Sequence, residues 1–127
     1  MSPLTILYVE DDPNNRMLIR RVLMAEGYHM LDAASAAEAL SVVASNHPDL
    51  VLMDINMPDV DGLTLTSQLK QLPLMANVPI VAVTANVMRG DRERTLEAGC
   101  DGYLQKPIDV DALPRQVNQF IQEARRG

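Results

Sequence analysis

Carboxylates, a hydroxyl and an ammonium each stand at the end of an apolar run in this chain. Glu10-Asp11-Asp12 follows the run from Leu4 to Val9, and Asp54 follows Leu50-Val51-Leu52-Met53. Thr84 ends the run from Val78 to Val83, and Lys106-Pro107 follows Tyr103-Leu104-Gln105. In a parallel sheet the strand ends gather on one edge, where open α/β folds bind their ligands. Glu10, Asp11 and Asp54 would meet there as like charges, each pair costing about 4 kcal/mol at 4 Å and an effective dielectric of 20. A hard divalent cation removes that repulsion, and an oxygen-only site with few protein ligands suits Mg²⁺. A carboxylate can also act as a nucleophile and become an aspartyl-phosphate. Asp54 is placed for that role, with the Thr84 hydroxyl and the Lys106 ammonium available to phosphoryl oxygens. Taken singly, these residues are ordinary. An acidic run suits the start of a helix, Asp12 reads as a cap, and threonines and lysines end many strands. The constellation is specific; its members are not.

The elements that must hold these groups are legible as alternating apolar runs and helix-period stretches. Strands are expected near residues 4–9, 28–33, 49–53, 78–83 and 101–105. The first, third and fourth lack polar alternation, as strands buried on both faces do. Asp12-Pro13 reads as an N-cap and first helical residue, opening a helix to about Glu26 that Gly27 closes. Ser35-Ala36-Ala37-Glu38 has capping-box spacing and opens a second helix to about Ser45. A third is expected from about Gly62 to Gln71, and a fourth from about Asn86 to Ala98. The last starts near Asp109 or Asp111 and runs to about Ala124; Pro114, tolerated only in a first turn, favours the later start. Asp59 and Asp61, in Pro58-Asp59-Val60-Asp61-Gly62, read as turn chemistry.

Five βα units imply an α/β fold with an open five-stranded parallel sheet, since a closed barrel needs about eight. The flavodoxin-like order 2-1-3-4-5 is taken from folds of this kind, not from the spacing; it would set strands 1 and 3 side by side. The 127 residues suffice for one domain spanning residues 1–127, large enough to bury ~65–70% of its unfolded surface. A net charge of −6 argues against a general nucleic-acid footprint and weakly against anionic membranes. No apolar run approaches the ~18 residues of a membrane span. Met1-Ser2-Pro3 leaves no room for a signal peptide, and the single Cys100 permits no internal disulfide. A cytoplasmic setting is expected.

These residues make the chain resemble the receiver domains of two-component response regulators, in the single-domain chemotaxis-receiver style, over nearly its whole length. The resemblance implies that Glu10 and Asp11 are the acidic pair and Asp54 the phosphoacceptor. It makes Asn56 the donor of a backbone carbonyl to Mg²⁺, Thr84-Ala85 the switch hydroxyl with its small neighbour, and Tyr103 the switch aromatic. Lys106-Pro107 matches the lysine–proline step, and Met57-Pro58 and Asp61-Gly62 the loop between. Asn56 and Asn86 fall where receivers tune hydrolysis of the phosphoryl group. One departure is Glu10 in place of the commoner Asp; its longer arm suits a metal contact through water.

The implied function is transfer of a phosphoryl group from a phosphohistidine, on a histidine kinase or histidine phosphotransferase domain, to Asp54 in a phosphorelay. Thr84 and Tyr103 would then reshape the face of the fourth and fifth helices and the strand between them. With the chain ending at Gly127, output is expected through a downstream protein target and not through direct nucleic-acid or membrane binding. Self-association could use the same face. The chain is not expected to be an enzyme beyond catalysing its own phosphorylation and dephosphorylation. Three rivals are weaker. A small aspartyl-phosphate phosphohydrolase would carry an acid/base Asp two residues after the nucleophile, where this chain has Asn56. A nucleotide module would need a glycine-rich loop after the first strand, where Glu10-Asp11-Asp12-Pro13 is acidic. A phosphorylation-independent binding module is the remaining alternative, and with every chemical position present the sequence gives no reason to choose it.

Overall fold

The computed structural model describes residues 3–57, 62–85 and 91–126. In chain order it runs β1 (Thr5–Val9), α1 (Pro13–Ala25), β2 (His29–Ala33), α2 (Ala36–Ser45), β3 (Leu50–Asp54) and α3 (Gly62–Lys70). A short 3₁₀ turn (Pro73–Met75), β4 (Ile80–Thr84), α4 (Asp91–Glu97), β5 (Gly102–Gln105) and α5 (Leu113–Arg126) complete it. The five strands form one parallel sheet in the order β2-β1-β3-β4-β5, as expected for the flavodoxin-like class.

Side chains alternate across the sheet with period two. Ile6, Tyr8, Leu50, Leu52, Val81, Val83 and Leu104 pack with Ile19 and Leu23 of α1 and Leu113, Val117 and Ile121 of α5. Leu7, Val9, Val51, Met53, Ile80 and Ala82 pack with Ala39 of α2 and Leu65 and Leu69 of α3. Both faces are therefore covered, and each fully buried aliphatic side chain contributes about 1.5–3 kcal/mol of burial. The same parity carries past the core. Glu10 and Asp54 continue the α1/α5 face at the ends of their strands, Lys106 does so two residues after Leu104, and Thr84 takes the other face.

Local signals fix the helix ends. Asp12 caps α1 by accepting from the Asn14 N–H at 2.8 Å, with Pro13 next in line. Ser35 accepts from the Glu38 N–H at 3.2 Å, while Glu38 reaches back to the Ala34 N–H at 3.1 Å. Gly27 and Gly99 close their helices at φ +93° and +105°, where glycine alone carries no Cβ penalty. The start of the last helix and one added turn differ from expectation. The last helix begins at Leu113, two residues past the later start, because Asp109 first makes a turn. Its carbonyl accepts from the Ala112 and Leu113 N–H groups, and its carboxylate from those of Asp111 and Ala112. Pro114 then falls in the first helical turn. The 3₁₀ turn was not foreseen. The expected first turn of the fourth helix, with Asn86, and the turn residues Pro58, Asp59 and Asp61 lie outside the described residues.

Candidate active site at the strand ends

β1 and β3 are neighbours, with Val9 level with Met53, so the residues that follow them meet. Glu10 and Asp54 are almost wholly buried (0% and 2% exposed), whereas Asp11 is open to solvent. Carboxylate oxygens of Glu10, Asp11 and Asp54 all lie within 4.8 Å of one another. The Lys106 Nζ reaches between the buried pair, 3.0 Å from Glu10 Oε1 and 3.1 Å from Asp54 Oδ2. The sequence thus placed these four residues together correctly in space. One ammonium faces three carboxylates, so the cluster keeps a surplus of negative oxygen donors, the donor set that a hard divalent cation prefers.

Protonation follows from burial and neighbours. Burial, with the Glu10 carboxylate beside it, pushes the Asp54 carboxyl up to about 6. Burial alone would raise Glu10 too, but hydrogen bonds from Asp54 and Lys106 outweigh it and hold Glu10 at about 2. Without a metal and below about pH 6, the two carboxyls share one proton, carried mostly by Asp54. Hydrogen bonding to Glu10 also raises Asp11. For Lys106, burial works against the charge, yet bonding and attraction from Glu10 and Asp54 prevail and lift its pKa. The ammonium stays charged through the neutral range.

Asn56 plays more parts than its expected one. Its main-chain N–H donates to Asp54 Oδ1 at 2.9 Å. Its side-chain oxygen accepts from the Thr84 hydroxyl at 3.5 Å and the Ala85 N–H at 3.4 Å. Thr84 is therefore joined to the phosphoacceptor loop through Asn56. Tyr103 sits outside the cluster, half-buried against the α2/α3 core on the sheet face that Thr84 shares. Gly62 brings α3 down onto this loop: a Cβ there would stand 2.5 Å from Ile55 Cα and 2.7 Å from the Asp54 carbonyl oxygen.

Three residues of the site were not foreseen. The Tyr8 hydroxyl donates to Glu10 Oε1 at 3.1 Å and the Asn15 amide does so at 3.3 Å. Arg16 donates to the Glu10 carbonyl at 2.7 Å and leans on Asp32 at 3.9 Å. A tyrosine interrupting an aliphatic run two residues before Glu10 was a readable signal, since period two aims both side chains to one face. Tyr8, Asn15 and Lys106 also line a cleft of about 350 Å³ beside α1, together with Leu18, Ala85 and Ile108.

Comparison with known proteins agrees with this geometry. Residues 6–118 match the family model described as the response regulator receiver domain. The chain is 38% identical over 120 residues to the polar-differentiation response regulator DivK of Brucella ovis, covering 94% of this chain and 98% of that one. A CheY-like response regulator receiver domain protein from Methanospirillum hungatei superposes with a TM-score of 0.90 at 28% identity, covering 98% of each chain. The receiver domain of a Pseudomonas aeruginosa sensor histidine kinase, solved with magnesium in its active-site cleft, gives 0.85 at 35% identity. It covers 94% of this chain and 98% of its own.

Proposed function

Because the chain belongs to the response regulator receiver family, we propose that Asp54 is its phosphoacceptor and a phosphohistidine its donor. Receivers of this family work with histidine kinases and pass the signal to downstream targets. The observation that carries the assignment to Asp54 is its position: a buried carboxylate ending a central strand, 3.1 Å from Lys106 and grouped with Glu10 and Asp11.

In the transfer an Asp54 carboxylate oxygen attacks phosphorus in line. The new O–P bond forms as the N–P bond of phosphohistidine breaks, and the released imidazole keeps the electron pair and takes a proton. Lys106 pairs with one phosphoryl oxygen, and the Thr84 hydroxyl donates to another after leaving the Asn56 side chain. The Asn56 N–H holds Asp54 in a fixed rotamer throughout. Asp11 and Asp54, with the Asn56 carbonyl, are the residues that would hold Mg²⁺, with Glu10 behind them. Bound there, the ion would neutralise charge on the phosphoryl oxygens. The chain turns over no external substrate; it catalyses only its own phosphorylation and dephosphorylation. Its expected setting is the cytoplasm; separately, among the described residues no helix is long and apolar enough to cross a membrane. Thr84 and Tyr103 couple the new charge to the surface of α4, β5 and α5, which meets a downstream protein or a second copy.

The test is intact mass after incubation with a small-molecule phosphodonor, in Mg²⁺ and in chelator, beside Asp54→Asn. The expected result is a single phosphoryl adduct that requires Mg²⁺ and vanishes in the variant. No adduct under any condition overturns the acceptor role and favours a phosphorylation-independent binding module.

A further inference from the structure

The Glu10 side chain is wholly buried, and a buried charge is tolerated only when paired and hydrogen-bonded. Its oxygens are treated unequally. Oε1 receives three donors: the Tyr8 hydroxyl at 3.1 Å, the Asn15 amide at 3.3 Å and the Lys106 ammonium at 3.0 Å. Oε2 accepts from the Asp12 N–H, at 3.3 Å. A carboxylate oxygen has two lone-pair directions, so three donors saturate Oε1 and leave none for a cation. We propose that Tyr8 and Asn15 are positioning residues that fix Glu10 as the anchor of Lys106, leaving Asp11 and Asp54 as the carboxylates that face the metal.

The geometry behind this is specific. Tyr8 lies on the same sheet face as Glu10, its ring locked among the side chains of α1 and α5. Its hydroxyl therefore reaches Glu10 along a fixed line. Asn15, in the first turn of α1, reaches the same oxygen from the helix side. Lys106 lies on a loop, with a long side chain of many rotamers. Two carboxylates choose for it, and Glu10 can do so only if its own carboxylate is immobile. A tyrosine buried merely for packing would not need its hydroxyl on the one oxygen that also holds Lys106. The inference rests on the phosphoacceptor reading for its kinetic consequence, though not for the structural one.

The test uses the full chain as wild type, Tyr8→Phe, Asn15→Ala and Asp54→Asn. The first readout is the side-chain ¹⁵N–¹H signal of Lys106 in chelator, without phosphodonor. In wild type the ammonium is held and its protons exchange slowly; Tyr8→Phe and Asn15→Ala shift the signal and speed that exchange. The second readout is adduct formation against Mg²⁺. The maximal rate falls about three- to tenfold, the worth of one ordinary hydrogen bond. The Mg²⁺ concentration giving half that rate stays within about twofold, as for an interaction used in transfer and not in metal binding. An unmoved Lys106 signal in both variants overturns the anchor. So does a raised Mg²⁺ midpoint at unchanged maximal rate, which would set Glu10 on the cation. A wild type without adduct, or Asp54→Asn with one, overturns the acceptor reading instead, and the Lys106 signal still decides the anchor. Asn15 sits at the surface end of the network, so Asn15→Ala remains informative even if Tyr8→Phe disturbs the core.

Discussion

Asp54 and Glu10 divide one shared environment unequally, and that inequality is measurable. The folded pKa of Asp54, about 6, lies above its ordinary 3.8. Its contribution to stability is complete below about pH 3.8 and is lost as pH rises through 6. The folded pKa of Glu10, about 2, lies below its ordinary 4.5. Its contribution is complete above about pH 4.5 and is lost as pH falls through 2. The metal-free pair therefore stabilises the fold most near pH 4. Above that, the proton Asp54 must give up becomes a cost, and a cation that replaces the proton removes it. Thermal melts in chelator should show wild type losing stability relative to Asp54→Asn between about pH 4 and pH 7. Addition of Mg²⁺ should stabilise wild type progressively more over the same interval and leave Asp54→Asn nearly unmoved. A Mg²⁺ effect independent of pH would contradict the shared proton.

Asp54 is held where β3 meets α3, and Gly62 lies against that backbone. A methyl group there would stand 2.5 Å from Ile55 Cα, against backbone that cannot swing aside. Gly62→Ala should destabilise by about 1–3 kcal/mol, as overpacked cores do. It should also slow adduct formation, because the displaced backbone carries the Asp54 carbonyl. Melting temperature and adduct rate measured together check this, and a variant with both unchanged would show that α3 adjusts freely. This contact illustrates where the sequence was legible and where it was not. β1, β3 and β4 could be read because strands buried on both faces are uninterrupted apolar runs, and Asp54, Glu10 and Lys106 because they interrupt or end such runs. Ser35 and Asp12 announced their helices through side chains that bond the next turn. Asp109 sent α5 two residues later by the same chemistry, but its turn competes with helix and neither outcome is written in residue type alone. Gly62 against Ile55, and Asn15 against Glu10, depend on how elements approach in space. No spacing along the chain encodes that distance.

For the molecule as a whole, the proposed phosphotransfer requires that a charge placed at the strand ends alter a surface on the far side of β4 and β5. The parity of the sheet supplies the route. Asp54 lies on the α1/α5 face and Thr84 on the opposite one, level with Gln105 of β5. Thr84 shares its face with Tyr103, which pairs with Ala82. Asn56 links the two faces, bonding Asp54 through its main chain and Thr84 through its side chain. The bond to Thr84 is long, at 3.5 Å, and a phosphoryl oxygen is the stronger acceptor. Moving a two-state surface from almost wholly one form to almost wholly the other takes about 5.5 kcal/mol. One hydrogen bond from a hydroxyl to a charged oxygen supplies about 1.5–3 kcal/mol of that. Thr84→Ala should therefore still form the adduct but leave the population only partly shifted. Amide chemical shifts along β4, β5 and α5, recorded with and without phosphodonor, should move in wild type and by a fraction of that distance along the same line in the variant. A full-length shift in Thr84→Ala would remove Thr84 from the coupling and leave Lys106, the other proposed ligand of the phosphoryl group, to carry it from the α5 side.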